Sequence, residues 1–235
     1  LTCFIKFLLL SVENELLLAP GCKAQILNDV IMDLNFIVID NFLEKPDNVR
    51  QAGLAADYPI TGNFPGRRSY QCDQEYNNIV KEKIETIINK KITEWTNHTN
   101  QDLNEIESID TSSFQLCLED DKTWIHRDIN EYTAILYLTP NAPTLSGTGI
   151  YKHIKTNVYQ NFGETNEIDK DTDENSWELI NFVGNIFNRL VIFKGCLYHR
   201  SVLPGFGHDK YTGRLTQTFF FNTQDHLDRK KNGNY

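Results

Sequence analysis

The segment NRLVIFKGCLYHRSV, residues 188–202, carries the pattern that decides the fold of this chain. Its first half contains a run of aliphatic and aromatic residues, which predicts a buried β-strand. Gly195 follows that run and predicts a turn. His199 comes next, in LYHRSV, and we interpret it as lying on a strand directly after the buried run. Because imidazole is the commonest metal ligand in proteins, His199 is a candidate ligand.

A glycine-rich loop and a further strand follow this segment. The loop is GFGHDKYTG, residues 205–213, and the next residues, RLTQTFFFN, predict a strand that begins at Arg214. His208 lies within the loop and is the one credible competitor to His199 as a metal ligand. The strand position of His199 favours it over His208.

An H-x-D pattern lies upstream, in TWIHRD, residues 123–128, for which we predict a strand. Side chains at i and i+2 of a strand share one face, so His126 and Asp128 would point together. Two imidazoles and one carboxylate are the ligands that hold a non-haem Fe(II) and leave its opposite face open. An arginine downstream supplies a fixed cation for a dicarboxylate co-substrate. H-x-D alone is common, whereas H-x-D, a buried strand, His199 and then Arg214 form a specific order.

In this order the chain resembles the 2-oxoglutarate- and Fe(II)-dependent oxygenases, and most of all their prolyl-4-hydroxylase-like branch. The resemblance covers residues 113–222 and depends on WIHRD, AILYLTP, LSGTGIY, NRLVIFKGCLYHRSV and GRLTQTFFFN, in that order. It implies a mainly β fold with helical additions. The implied barrel is a double-stranded β-helix, of the jelly-roll or cupin-like kind, with N-terminal helices packed outside.

The resemblance also implies the roles of individual residues. Three of them would be the catalytic iron ligands: His126, Asp128 and His199. Arg214 would pair with the far carboxylate of 2-oxoglutarate, and Tyr137 would donate a hydrogen bond to the same carboxylate. Thr216, two residues past Arg214 on the same strand face, would assist. The implied cofactor is Fe(II), with 2-oxoglutarate and O2 as co-substrates.

The sequence departs from the family pattern at two places. Thr139 replaces an asparagine after Tyr-Leu, and Gly147 with Thr148 replaces a pair of glycines. Neither departure affects an iron ligand, so both concern loop shape and substrate contacts. The presence of Asp128 favours a hydroxylase, because halogenating relatives lack that carboxylate.

The implied reaction is hydroxylation of a C–H bond in a peptide side chain, an amino acid or another small molecule, with release of succinate and CO2. One alternative is a catalytically degenerate β-helix that only binds its partner. A complete buried set of charged groups speaks against it, because such a set costs stability. Another alternative is a nucleic-acid demethylase, but those relatives carry a second arginine where this chain has Phe220. The net charge of -9 also disfavours a nucleic-acid partner.

At 235 residues the chain has the length of one domain. Met32 is its only methionine and directly precedes DLNFIVIDNFL, where a well-patterned domain begins. We therefore expect residues 1–31 to be a non-native or mis-assigned extension, and residues 32–235 to form a single oxygenase-like domain. Its helical part would span about residues 44–100 and its β-helix core about residues 113–222.

Cysteine spacing and hydropathy bear on the compartment. Five cysteines, an odd number with no C-x-x-C pair, favour a reduced cytoplasmic setting over a disulfide framework. The apolar run CFIKFLLL is too short to span a bilayer, so no membrane partner is expected. The sequence does not indicate an oligomeric state.

Two helices are predicted before the β core. One contains Pro46 in its first turn, a favoured place for proline. The other is a long helix over residues 75–96, whose isoleucines recur at helical spacing and would pack outside the barrel. Between the two helices, Arg67 and Arg68 belong to a loop. We expect both to be solvated, with binding of a substrate anion as the alternative.

An acidic stretch lies between predicted barrel strands, at residues 164–174. Acidic runs are usually solvated loops, but long loops in compact domains often cover an active site. A lid of this composition would favour a basic or amine-bearing substrate.

Overall fold

Ten β-strands and two α-helices make up the described part of the chain, in agreement with the mainly β pattern of the sequence. The structure is a computed structural model that describes residues 36–70, 72–95 and 111–226. In chain order, the elements are β1 (Phe36–Ile39), α1 (Pro46–Ala55), β2 (Arg67–Arg68), α2 (Gln74–Ile88), β3 (Ile92–Trp95), β4 (Phe114–Cys117), β5 (Tyr132–Tyr137), β6 (Thr148–His153), β7 (Trp177–Val183), β8 (Leu190–Lys194), β9 (His199–Ser201) and β10 (Arg214–Thr223).

Seven of these strands form one antiparallel sheet, which is organised around β10. The strand order is β1-β8-β5-β10-β4-β2, and β3 also pairs with β10. Side chains alternate along β10. Leu215, Phe219 and Phe221 belong to the main hydrophobic core on one face of the sheet. Arg214 and Thr216 point to the opposite face, where they line a cavity.

The two helices pack against the apolar face of this sheet. Leu54 of α1 and Ile84 of α2 are buried in the same core as the apolar side chains of β10. α1 begins at Pro46, as predicted. α2 ends at Ile88, several residues earlier than predicted, because Asn89 adopts a left-handed conformation with φ of 51° and caps the helix. The β-branched and aromatic residues that follow then form β3 instead of extending the helix.

The other three strands form a smaller antiparallel sheet, in the order β7-β6-β9. Ile150 and Val183 of this sheet pack against Val191 and Phe193 of the large sheet. Along β8, these two residues alternate with Leu190 and Ile192, which belong to the core on the helix side. The two sheets therefore face each other, and α1 and α2 pack on the outer face of the large sheet.

The strand predicted for residues 123–128 is wrong in its extent. Only His126 pairs, through a single antiparallel bridge in which it and His199 exchange backbone hydrogen bonds of 3.0 and 2.7 Å. The Asp128 N–H donates instead to the Gly195 carbonyl oxygen at 2.8 Å, at the turn that follows β8. β9 is only three residues long, so it does not offer a longer ladder to this segment.

Residues 1–31, expected to be an extension, lie outside the described residues, and so does the end of the predicted helical part beyond residue 95. The division of the chain at Met32 stays a prediction. Within residues 36–70, 72–95 and 111–226, neither α-helix has the length and apolar character needed to cross a bilayer.

Candidate active site

The side chains of His126, Asp128 and His199 converge beside the turn between β8 and β9. One ligand atom from each lies within 4.8 Å of the other two. His126 Nε2 is 3.7 Å from Asp128 Oδ1, and His199 Nε2 is 3.4 Å from Asp128 Oδ2. Adjacent ligands at bond lengths of about 2.1 Å are separated by about 3 Å. The fold thus brings together the three predicted ligands, and small side-chain shifts would place all of them on one ion.

Backbone carbonyl groups fix the orientation of both imidazoles. His126 Nδ1 lies 3.0 Å from the Trp124 carbonyl oxygen, and His199 Nδ1 lies 2.8 Å from the Leu197 carbonyl oxygen. A carbonyl oxygen only accepts, so each Nδ1 carries a proton, and in the neutral ring the lone pair is on Nε2. Burial lowers the pKa of His126 to about 4, and the neighbouring His199 acts in the same direction. Nε2 is therefore the nitrogen that each neutral ring would present to a metal.

Asp128 is held as a carboxylate. The Thr133 hydroxyl donates to Asp128 Oδ2. Burial by itself would raise the pKa of Asp128, but the neighbouring imidazoles and the Thr133 hydroxyl outweigh burial and hold this pKa well below its usual range. Gly195 allows the close approach of the Asp128 segment, because a Cβ at position 195 would lie only 2.1 Å from the Asn130 carbonyl oxygen. Thr133 is not among the residues predicted for the site, and the turn after Asp128 brings its hydroxyl back to the carboxylate.

Replacing Thr133 by valine keeps the side-chain shape and removes the hydroxyl that donates to Asp128. We expect the affinity for Fe(II) to fall by about 10–100-fold, the range found when a group supporting a metal ligand is lost. Anaerobic competition against a coloured chelator would measure the dissociation constant. Thr218→Val is the matched control, because Thr218 lines the same cavity and its hydroxyl has no hydrogen-bond partner within the described ranges. Equal Fe(II) affinity in Thr133→Val and wild type would contradict the supporting role.

Arg214 is buried in the same cavity, at the first residue of β10. Arg214 is only 5% exposed, and its Nε donates to the Ser146 carbonyl oxygen at 3.0 Å. Among residues 36–70, 72–95 and 111–226, no carboxylate oxygen lies within 4.0 Å of the Arg214 guanidinium. The Thr139 hydroxyl holds the backbone on both sides of it, donating to the Gly213 carbonyl oxygen and accepting from the Leu215 N–H, each at 2.8 Å. Because a buried guanidinium without an anionic partner is costly, this arrangement suits an anionic ligand.

Tyr137 and Thr216 were predicted to contact the same carboxylate, and both are fully buried near Arg214. The Tyr137 hydroxyl lies 2.7 Å from Thr148 Oγ1, and the Tyr137 ring centroid lies 5.8 Å from the Arg214 guanidinium carbon. Thr148 and Thr216 line the cavity, whereas Tyr137 lies behind them in the core between the sheets. Thr148, which replaces a glycine of the family pattern, thus lies between Tyr137 and the cavity.

The cavity that contains these groups has a volume of about 270 Å³. Arg68 also lines it, although the sequence analysis placed both Arg67 and Arg68 in a solvated loop. The two arginines form β2 and pair with β4, and neighbouring residues on a strand point to opposite faces. Arg67 is exposed, and Arg68 faces the cavity. Two identical residues show no alternation in the sequence, so the strand and the opposite directions of its side chains were not predictable.

Two other histidines lie apart from the His126, Asp128 and His199 cluster. His208, the competitor to His199, is exposed and its Nδ1 lies 2.6 Å from Glu119 Oε1. His153 is buried at the end of β6, where its Nε2 lies 3.2 Å from Asp171 Oδ2. Neither is within reach of the cluster.

The acidic stretch is tied to the barrel by the chain's own cations. Asp169 pairs with Arg127 at 2.9 Å, and Glu174 pairs with Arg200 at 2.5 Å. Both arginines also line the cavity. Asp169 and Glu174 are therefore directed at protein cations and not into the cavity toward a basic substrate.

Comparison with known proteins places the chain by sequence and by fold. A family model described as a family of unknown function (DUF6445) matches residues 29–221. A search of curated protein sequences finds no match. The structure of HygX from Streptomyces hygroscopicus with nickel, 2-oxoglutarate and hygromycin B bound is similar to this one, with 14% sequence identity and a TM-score of 0.50. The similarity covers 80% of this chain and 82% of that chain.

Two prolyl hydroxylase structures are also similar. One, from Trichoplax adhaerens in complex with a hypoxia inducible factor peptide fragment, has 14% identity and a TM-score of 0.47 over 83% of this chain and 86% of that chain. The other, a prolyl-4-hydroxylase from Pseudomonas putida, has 15% identity and a TM-score of 0.45 over 80% of this chain and 94% of that chain. At these identities the likeness concerns the fold. The double-stranded β-helix that the family resemblance implied is confirmed.

Proposed function

The chain belongs to the DUF6445 family, a family of unknown function, and we propose that it is an Fe(II)- and 2-oxoglutarate-dependent dioxygenase. One observation carries the proposal. Two imidazole Nε2 atoms and one carboxylate converge in a cavity that also holds the guanidinium of Arg214. This donor set binds Fe(II) from one side and leaves the other side open to the cavity. The HygX structure holds nickel and 2-oxoglutarate in a related fold, which supports the proposed ligands.

One set of residues would bind the metal, and another would orient the co-substrate. His126, Asp128 and His199 would hold Fe(II). When bound, Fe(II) with 2-oxoglutarate and O2 supplies the oxidation of a substrate C–H bond, with release of succinate and CO2. Arg214 would bind the far carboxylate of 2-oxoglutarate through its free N–H edge, since its Nε is already committed to the Ser146 carbonyl oxygen.

The hydroxyl groups beside Arg214 would complete the carboxylate site. Thr148 and Thr216 line the cavity, so their hydroxyls are placed to contact the co-substrate directly. Tyr137 would act through Thr148, by the hydrogen bond between their hydroxyl oxygens. This refines the role predicted for Tyr137, which the resemblance assigned to direct contact.

Within this activity, the reaction that we propose is hydroxylation of a peptide side chain, an amino acid or another small molecule. A fold of this kind accommodates many substrates, so the substrate class has to come from the cavity of this chain. The predicted cytoplasmic location stays a prediction.

Turnover of 2-oxoglutarate without added substrate tests the proposal. Protein loaded with Fe(II) and 2-oxoglutarate, then exposed to O2, is expected to release succinate slowly, and chromatography of the products would quantify it. The same protein treated with a metal chelator is the control and is expected to release none. Release of no more succinate by folded, iron-loaded protein than by the chelated control would favour the degenerate binding protein instead.

A further inference from the structure

Arg68 lies in a row of side chains that crosses the large sheet toward the proposed co-substrate site. In the strand register, Arg68 of β2 pairs with Gln115 of β4, which pairs with Thr216 of β10. All three line the cavity. The row thus continues from the proposed 2-oxoglutarate site to a second cation, to which the proposed reaction assigns no role.

The Arg68 side chain is held in place from several directions. Its Nε and Nη2 both donate to Gln115 Oε1, at 3.3 and 3.2 Å. The Gln115 amide is oriented in turn by donating from Nε2 to the Pro65 carbonyl oxygen at 2.7 Å. The guanidinium carbon lies 4.1 Å from the centre of the Phe64 ring and 5.3 Å from that of the Phe220 ring. Aromatic rings contact the face of a guanidinium, so the remaining N–H donors stay available in its plane.

The charge of Arg68 is not matched by an ion pair. Within the described parts of the chain, no carboxylate oxygen lies within 4.0 Å of it, as with Arg214, whereas two further cavity arginines, Arg127 and Arg200, each have an acidic partner. Burial lowers the pKa of Arg68 to about 10, and the charge of Asp128 opposes that change. The guanidinium therefore stays protonated near neutral pH.

With Fe(II) and 2-oxoglutarate bound, the cavity would carry a net positive charge. The two positive charges of Fe(II) are balanced by the two negative charges of 2-oxoglutarate. Asp128 balances one of the two guanidinium groups, Arg68 and Arg214, that have no ion pair of their own. One positive charge remains in the cavity, and Arg68 is the cation that the co-substrate would not contact, because it lies farther along the row from the proposed 2-oxoglutarate site. A single excess charge fits a monoanion better than a dianion.

We propose that the primary substrate carries a carboxylate, and that the N–H edge of Arg68 binds it while Phe64 and Phe220 contact the adjoining apolar part. This inference rests on the proposed function, because it assumes that Arg214 is taken by 2-oxoglutarate. A substrate that carries a carboxylate differs from the basic substrate that the acidic stretch, residues 164–174, suggested in the sequence. A carboxylate paired with a preorganised guanidinium forms short, charge-assisted hydrogen bonds, which orient the substrate as well as bind it.

Benzoate and benzamide are suitable probes, since they share a shape and differ in charge. Each would be titrated calorimetrically, without O2, into full-length protein carrying Fe(II) and saturating 2-oxoglutarate. Charge-assisted hydrogen bonds predict that benzoate binds at least about tenfold more tightly than benzamide. Arg68→Gln is expected to remove this preference. Arg67→Gln is the matched control, because Arg67 is the adjacent, exposed arginine on the same strand and should keep the preference.

Three results would overturn the inference. They are equal binding of the two probes to wild type, an undiminished preference in Arg68→Gln, and binding of inorganic phosphate more tightly than benzoate. The first and third need no variant, so the inference is testable even if Arg68→Gln does not fold. Failure of the proposed function gives a different signal: the visible absorption band of the Fe(II) and 2-oxoglutarate complex would be absent from wild type before any probe is added.

Discussion

Asp128→Ala is expected to lower Fe(II)-dependent release of succinate by more than about a hundredfold. Loss of a group that merely supports a metal ligand costs 10–100-fold, and Asp128 is the one carboxylate in the cluster formed by the described residues. Without it, the two imidazoles would hold Fe(II) weakly and leave an additional coordination position open. Succinate release at a fixed Fe(II) concentration, together with the Fe(II) dissociation constant, would measure the effect.

The control separates loss of the site from loss of the fold. Asp120→Ala removes an exposed carboxylate a few residues upstream, and we expect wild-type activity. Asp128 belongs to neither sheet, and its side-chain contacts are with Thr133 and the two imidazoles of the cluster. The circular dichroism spectrum of Asp128→Ala should therefore match that of wild type. Folded Asp128→Ala protein with more than about a tenth of the wild-type rate would contradict the assignment of this carboxylate to the metal.

Arg214→Lys is expected to raise the 2-oxoglutarate concentration that gives half-maximal rate by at least about tenfold, and Arg214→Gln by about a hundredfold. A charged hydrogen bond contributes about 1.5–3 kcal/mol, and about 1.4 kcal/mol is a factor of ten in affinity. Lysine keeps the charge but loses both the planar pair of donors and the Nε that anchors the side chain to Ser146. Succinate release at a series of 2-oxoglutarate concentrations would give the values.

Arg67→Lys provides the matched control for Arg214→Lys, because it makes the same change at an exposed arginine. Its dependence on 2-oxoglutarate should be that of wild type. An unchanged half-maximal concentration in folded Arg214→Gln would show that the far carboxylate of the co-substrate binds elsewhere, and Arg68 would then be the first alternative to examine.

The positions that the sequence predicted well are those fixed by strand alternation or by order along the chain. His199 begins β9, after the buried run of β8 and a turn, and Arg214 begins β10, after the glycine-rich loop. The convergence of His126 with Asp128 was predicted from an i, i+2 spacing, although the segment pairs only at one residue. An extended backbone is enough to bring the two side chains together, so the error in the strand did not affect the site.

Other parts of the site depend on contacts between segments far apart in the chain. Arg68 faces the cavity because β2 pairs with β4, more than forty residues away. The sequence around Arg68 does not indicate that pairing. The end of α2 depends on the left-handed conformation of Asn89, a single residue in an otherwise helical pattern. The pairing of Asp169 with Arg127 and of Glu174 with Arg200 likewise joins distant segments, so the sequence of the acidic stretch alone did not indicate it.

The departures from the family pattern acquire a physical explanation in the structure. Thr139 uses its hydroxyl to fix the backbone on both sides of Arg214. Thr148 contributes a hydroxyl to the same cavity wall and bonds that of Tyr137. Both substitutions thus act around the guanidinium that would bind the co-substrate, rather than at the metal.

The central claim is that Fe(II) and 2-oxoglutarate bind together at His126, Asp128 and His199. Anaerobic titration of 2-oxoglutarate into Fe(II)-loaded protein tests it most directly, since chelation of Fe(II) by the keto acid gives a weak charge-transfer band in the visible spectrum. We predict a band that saturates at one equivalent and is missing from Asp128→Ala. A folded, Fe(II)-loaded protein that develops no band, or a band of equal strength in Asp128→Ala, would contradict the claim.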